Sequence, residues 1–276
     1  MIKDLVVALS GRGARDAAGD YAVSVAEAFD AHLAGIAFAY EPVIPGTVMG
    51  GVPSEFIEAS RAKSRAEAQA GVGRFEQAAR RSSLSIETRI CDASVVAAAE
   101  VFGRIARRFD LSLVAQADPD QEGGQDLLIE AALFQSGRPA IVVPYIQKSG
   151  LSLDRVLVCW DGSRTAARAI GDAMPFLERA KAVEIVIVAT ARAERDEITG
   201  AAVGRHLARH SLDVEVKRIV ADDIKVADTI LSHAADCAAD FIVMGGYGHS
   251  RLREFILGGA TRGILESMTV PVLMSH

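Results

Sequence analysis

Glycines at 245, 248, 258 and 259 flank a short segment carrying His249, Arg251 and Arg253, a combination of residue types suited to holding phosphate. The run before it, 239–244 (Ala-Asp-Phe-Ile-Val-Met), is short, apolar and rich in β-branched and aromatic residues, so it reads as a buried strand. Beyond it, Ala260, Ile264, Leu265 and Met268 recur at helical spacing, which places Gly258 and Gly259 at a helix N-terminus. Such an end presents free backbone N–H groups and the positive pole of the helix dipole, both favourable to an anion. Glycines let a phosphate reach the backbone with no Cβ in the way. A bare glycine cluster serves equally well as a set of turns, so a second element has to decide between the two readings.

That element is Trp160-Asp161-Gly162-Ser163, directly after the apolar run 155–159. Asp161 can accept from a ribose hydroxyl or a base amino group. Ser163 is equally fit to cap the next helix. Trp160, the single tryptophan, can stack on a base or pack into the core. Ligands of open parallel sheets sit beyond the carboxyl ends of the strands, where adjacent crossovers diverge, and both segments begin at such ends.

The elements that must position these residues occur twice. Residues 4–9 match 154–160, each an apolar strand followed by a loop and an alanine-rich helix, at 17–31 and 165–179. The alternating strand 85–90 matches 213–220, with helices near 94–109 and 223–238 after them. Residues 110–115 match 240–245, and each half closes on a strand opened by proline, at Pro139 and Pro271. Strands alternating with helices imply βαβ crossovers and a mostly parallel, doubly covered sheet. The expected fold is therefore α/β, with two tandem doubly wound, Rossmann-like parallel-sheet domains. The polar stretch around Gly150 separates them, giving a first domain over 1–147 and a second over 152–276. An irregular loop over 41–53 precedes a long charged helix over 54–81.

Here the chain resembles the universal stress protein family, whose nucleotide-binding members carry an Asp after the first strand and a Gly-x2-Gly-x9-Gly-Ser/Thr motif after the fourth. Gly245, Gly248 and Gly258 match that spacing and Asp161 the acidic position. The resemblance spans nearly the whole chain as two copies and is specific in the second. It implies a fold similar to that of the adenine nucleotide alpha hydrolases and binding of ATP or a related adenine nucleotide, with Mg²⁺ as its companion. The site it implies comprises Trp160, Asp161, Val188, Gly245, Gly248, His249, Gly258, Gly259 and Ala260. The resemblance further implies a role in stress response or signalling, and an internal pseudo-dimer in which strands 140–143 and 272–274 pair. A homodimer of the whole chain would then need another surface.

One position departs from the motif: Gly259 stands where Ser or Thr is usual, so the backbone N–H survives and the hydroxyl is lost. Thr261 in the first helical turn is a potential substitute. The departure keeps two alternatives open, a nucleotide-free interaction module and a weak ATPase. No catalytic residue is assigned, because no general base or magnesium ligand set stands out. The first copy lacks both signatures. Its first strand ends in Leu9-Ser10, and the acidic stretch with Asp118, Asp120 and Glu122 would repel a triphosphate, so it is expected to serve as a structural partner. Gly11-Arg-Gly-Ala-Arg lacks the Lys-Ser/Thr of a phosphate loop and reads as a turn.

Composition narrows the class further. A net charge of -6 supplies no basic excess for nucleic acid. No apolar run of about eighteen residues occurs, so no membrane span is expected. The N-terminal apolar run is too short for a signal peptide, and three scattered cysteines suit a reducing compartment, so the expected location is cytoplasmic. Those cysteines show no metal-ligand spacing. His206 and His210 stand four apart but lack a third ligand, and read as an exposed helical pair.

Overall fold

The computed structural model describes residues 1–13, 15–42, 53–119, 124–189, 200–221, 224–246 and 259–276. The chain divides into two compact units, one over 2–138 and the other over 139–276.

In the first unit, β1 (Asp4–Leu9), β2 (His32–Tyr40), β3 (Ile86–Ala93) and β4 (Leu111–Ala115) form a parallel sheet in the order β3-β2-β1-β4. Four helices, α1 (Ala17–Phe29), α2 (Ser54–Ala79), α3 (Val95–Ala106) and α4 (Gln125–Gln135), make the crossovers. Apart from Asp4 and Ser112, β1 and β4 are apolar, and both are largely buried, as central parallel strands covered on both faces should be. Helix α1 starts at Asp16, whose carboxylate accepts from Gly19 N at 2.9 Å and from Ser10 N at 2.9 Å. Burial pushes this carboxyl above its ordinary range, and the two backbone N–H groups oppose the shift.

The second unit repeats the arrangement with β6 (Val156–Cys159), β7 (Val183–Ala189), β8 (Val214–Val220), β9 (Phe241–Gly245) and β10 (Val272–Ser275). Their order is β8-β7-β6-β9-β10, all parallel. The helices are α5 (Arg164–Leu177), α6 (Gly200–Ala208), α7 (Val226–Asp236) and α8 (Gly259–Ser267). Phe176 of α5 stacks on Phe241 of β9 with ring centroids 5.3 Å apart, and both rings are fully buried.

The repeat extends to one hydrogen-bonding device. Asp110, just before β4, accepts from the backbone N–H groups of Lys3 and Asp4 at 2.9 and 3.1 Å. Asp240, just before β9, accepts from those of Asp154 and Arg155 at 2.9 and 3.3 Å. In each unit an aspartate thus ties the start of the first strand to the start of the fourth.

β5 (Ala140–Val143) pairs antiparallel with β10, with Ile141 opposite Leu273. The sequence places this strand at the end of the first half. By its contacts it groups with the second unit, which begins at Pro139. Pairing between these two proline-opened strands is expected from the sequence, and its antiparallel sense is given by the structure.

Candidate functional site

β6 lies between β7 and β9. From β6 the chain crosses over to β7 on one side, and from β9 it crosses over to β10 on the other, so the crevice between the carboxyl ends of β6 and β9 is the topological switch point. Val158 of β6 stands opposite Val243 of β9, and Cys159 opposite Val186 of β7. Asp161, Val188 and Gly245 therefore come from three adjacent strand ends along one edge of the sheet.

Asp161 is exposed. Its Oδ1 accepts from Ser163 N at 2.9 Å, Gly162 takes a left-handed φ of 78°, and the Ser163 hydroxyl accepts from Ala166 N at 3.1 Å as the α5 cap. The capping role anticipated for Ser163 is realised, and the tight loop fixes the Asp161 backbone while its carboxylate faces water. Trp160 is only 8% exposed, so it packs into the core. Its indole Nε1 is buried with no acceptor among the described residues. Neighbouring Cys159 is inert: burial, reinforced by the Asp161 carboxylate, pushes its thiol up to about 12.

Gly245 is required by packing. A Cβ there would lie 2.5 Å from Ala166 N and 2.6 Å from Thr165 C, so the end of β9 runs directly against the first turn of α5. A side chain at 245 would separate the two elements that carry the site. Gly259 differs. It is exposed at the first residue of α8, and a Cβ there would meet nothing within 4 Å among the described residues. Ala260 follows, partly exposed, in the same turn, whereas Thr261 is buried with 4% exposure and does not present its hydroxyl at the surface. Gly248, His249 and Gly258, together with Arg251 and Arg253, lie outside the described residues.

With this geometry in view, the likeness to known proteins is informative. Residues 152–276 match the model of the universal stress protein family. The second half of the chain is thus similar to universal stress proteins. A universal stress protein of Synechocystis is 26% identical over 142 residues, a match covering 49% of this chain and 46% of the relative, so it reaches less than half of that relative's length. Among solved structures, a universal stress protein from Archaeoglobus fulgidus superposes with a TM-score of 0.71 at 17% identity, covering 98% of this chain and 97% of that one. A putative universal stress protein from Pseudomonas aeruginosa gives 0.64 at 13% identity, covering 99% and 93%. At such low identity these likenesses establish the doubly wound fold.

Among the described residues of the first unit, the corresponding edge is filled by the protein itself. Gly11, just past β1, runs so close to α2 that a Cβ would lie 2.5 Å from Glu67 O. The Gly11–Gly13 turn is thus a helix-packing feature, with φ 77° at Gly13. The space left among Ser10, Tyr40, Glu67 and Gln125 is a cavity of about 40 Å³. That holds a water molecule and is far below the roughly 300 Å³ of a small-molecule site.

One cluster escaped the sequence reading. Glu184 of β7, His233 of α7 and Cys237 at the end of α7 place their ligand atoms within 4.8 Å of one another. The signals were present: a lone carboxylate in the apolar run 183–189, and His and Cys four residues apart on a helix. Cys237 is therefore not isolated from other metal-ligand residues, as its sequence neighbours suggest. His206 and His210 are both exposed with ring centroids 5.1 Å apart, but α6 ends at Ala208, so only His206 is helical.

Proposed function

We propose that the second unit binds ATP or a related adenine nucleotide at the switch point between β6 and β9, and that the protein acts in stress response or signalling through that binding. The observation that carries this reading is the convergence of an exposed carboxylate, Asp161, and the start of helix α8 on the same edge of the sheet. Asp161 keeps acceptor capacity beyond its bond to Ser163 N, enough for a ribose hydroxyl. The N–H groups of Gly259 and Ala260 in the first turn of α8 suit a phosphate. Val188 and Gly245 line the intervening strand ends. Mg²⁺ would arrive with the triphosphate, since no described residue stands out as its ligand.

Nucleotide released from the purified protein by denaturation and identified by mass spectrometry tests the reading directly, and calorimetric titration with ATP gives the affinity. Asp161→Ala is expected to weaken that affinity tenfold to a hundredfold, the equivalent of a charged hydrogen bond of about 1.5–3 kcal/mol. An unchanged Kd in this variant would remove Asp161 from the site.

Gly259→Ser is expected to act in the opposite direction. No described residue stands in the way of a side chain at this position, and the new hydroxyl restores the donor that the family motif carries. Affinity should rise about tenfold. Equal affinities of the variant and the parent protein would show that residue 259 does not face the phosphate.

A second reading, an interaction module that holds no nucleotide, is favoured by Gly245, whose need for glycine is already met by α5. Protein that purifies empty and shows no heat of ATP binding, before and after Gly259→Ser, would select it. No helix among the described residues is long and apolar enough to cross a membrane, and all three cysteines are free, which suits the cytoplasm.

A further inference from the structure

Glu184 is the only charged residue in β7, and it is 3% exposed. A carboxylate there must be compensated. His233 Nε2 lies 2.5 Å from its Oε1, and Arg155 Nη1 lies 3.4 Å from its Oε2. His233 is itself 7% exposed. This pairing already satisfies the carboxylate, yet a third potential ligand completes the group: Cys237, one helical turn beyond His233 and on the same face of α7. Its thiol makes a weak contact to Ala234 O at 3.7 Å. The four residues lie at the amino ends of β6 and β7, on the opposite edge of the sheet from Asp161.

We propose that Glu184, His233 and Cys237 form a binding site for one zinc-like divalent cation. One sulfur, one imidazole nitrogen and one carboxylate oxygen form a ligand set of borderline softness, which favours Zn²⁺ over Mg²⁺ or Ca²⁺. Tetrahedral bonds of about 2.0–2.3 Å place ligand atoms roughly 3.3–3.7 Å apart. The three atoms already fall within 4.8 Å, so side-chain rotation alone brings them to that spacing. The cation would separate His233 from Glu184. Arg155, still bonded to Oε2, would orient the carboxylate from outside the coordination sphere, as partners of metal ligands commonly do.

Proton balance follows from the ligand atoms. The Cys237 thiol proton leaves to solvent, and the neutral imidazole carries its proton on Nδ1 so that Nε2 is free to bind. Cys237 is partly exposed, which gives the cation a path to the site and leaves the fourth position to water. Because the thiol must lose its proton to bind the cation, affinity should increase with pH.

Cobalt(II) provides a readout specific for thiolate ligation. Reduced, chelator-treated full-length protein titrated with Co²⁺ should develop a near-ultraviolet sulfur-to-cobalt charge-transfer band that saturates at one equivalent and is displaced by Zn²⁺. The band should vanish in Cys237→Ser and survive in Cys91→Ser, Cys159→Ser and the His206→Ala/His210→Ala double variant. His233→Ala should bind at least about tenfold more weakly. Cys237 is partly exposed and its substitution conservative, so the serine variant should keep the parent circular dichroism. Absence of the band in the parent protein, or its persistence in Cys237→Ser, would overturn the proposal.

Discussion

Replacing Phe241 by alanine is expected to destabilise the second unit by about 3–5 kcal/mol. The ring is fully buried in the central strand β9 and stacks on Phe176, which is fully buried as well. Removing it loses the transfer free energy of an aromatic side chain and the stacking contact, and leaves a void that rigid neighbouring strands on either side cannot close. Trp160 is the single tryptophan and lies in the same unit, so its fluorescence reports unfolding of this unit specifically. Urea titration followed by Trp160 emission should show a lower midpoint with little change in slope. A loss below about 1 kcal/mol would mean that the core around β9 collapses around the void, contrary to the packing described.

The second large effect is expected at Gly245. Valine there would bring a Cβ to 2.5 Å from Ala166 N and 2.6 Å from Thr165 C. Both atoms are backbone, so no rotamer change relieves the overlap, and either α5 or the end of β9 must move. The cost should reach about 3 kcal/mol, the upper range for overpacking. The displacement also carries functional weight, since α5 follows Asp161 and β9 leads toward α8. With the nucleotide site proposed above, Gly245→Val should therefore lose ATP affinity even in the fraction that remains folded, whereas Phe241→Ala should retain it below its unfolding transition. The two variants, titrated with ATP at low denaturant, separate damage to the site from damage to the core. Equal affinity in both would show that the α5–β9 contact does not position the site.

Much of the architecture was legible because the sequence states it twice. Apolar runs at 4–9 and 154–160, and again at 110–115 and 240–245, fall where β1, β6, β4 and β9 occur. Parallel βαβ logic then brought Asp161 and Gly245 to adjacent strand ends. The role of Gly245 was not legible. Periodicity shows that a residue is glycine at a strand end, but the distance between β9 and the backbone of α5 is a tertiary quantity. The burial of Trp160 and Thr261 was hidden for the same reason, since each belongs to a polar-looking loop or helix start. Glu184 and His233 are 49 positions apart in sequence and meet only because α7 packs on β7. Their chemistry was visible as two oddities, an acid in an apolar strand and a His-x3-Cys spacing, with nothing local to join them.

β5 has a consequence for how this protein can be divided. The span that matches the family model begins at residue 152, whereas the strand paired with β10 comprises residues 140–143. A fragment starting at 152 would leave the outer N–H and C=O groups of β10 unpaired, an open template for a strand from another molecule. A fragment starting at 139 would carry its own edge guard. The segment upstream of the family-matched half is thus also its protection against self-association.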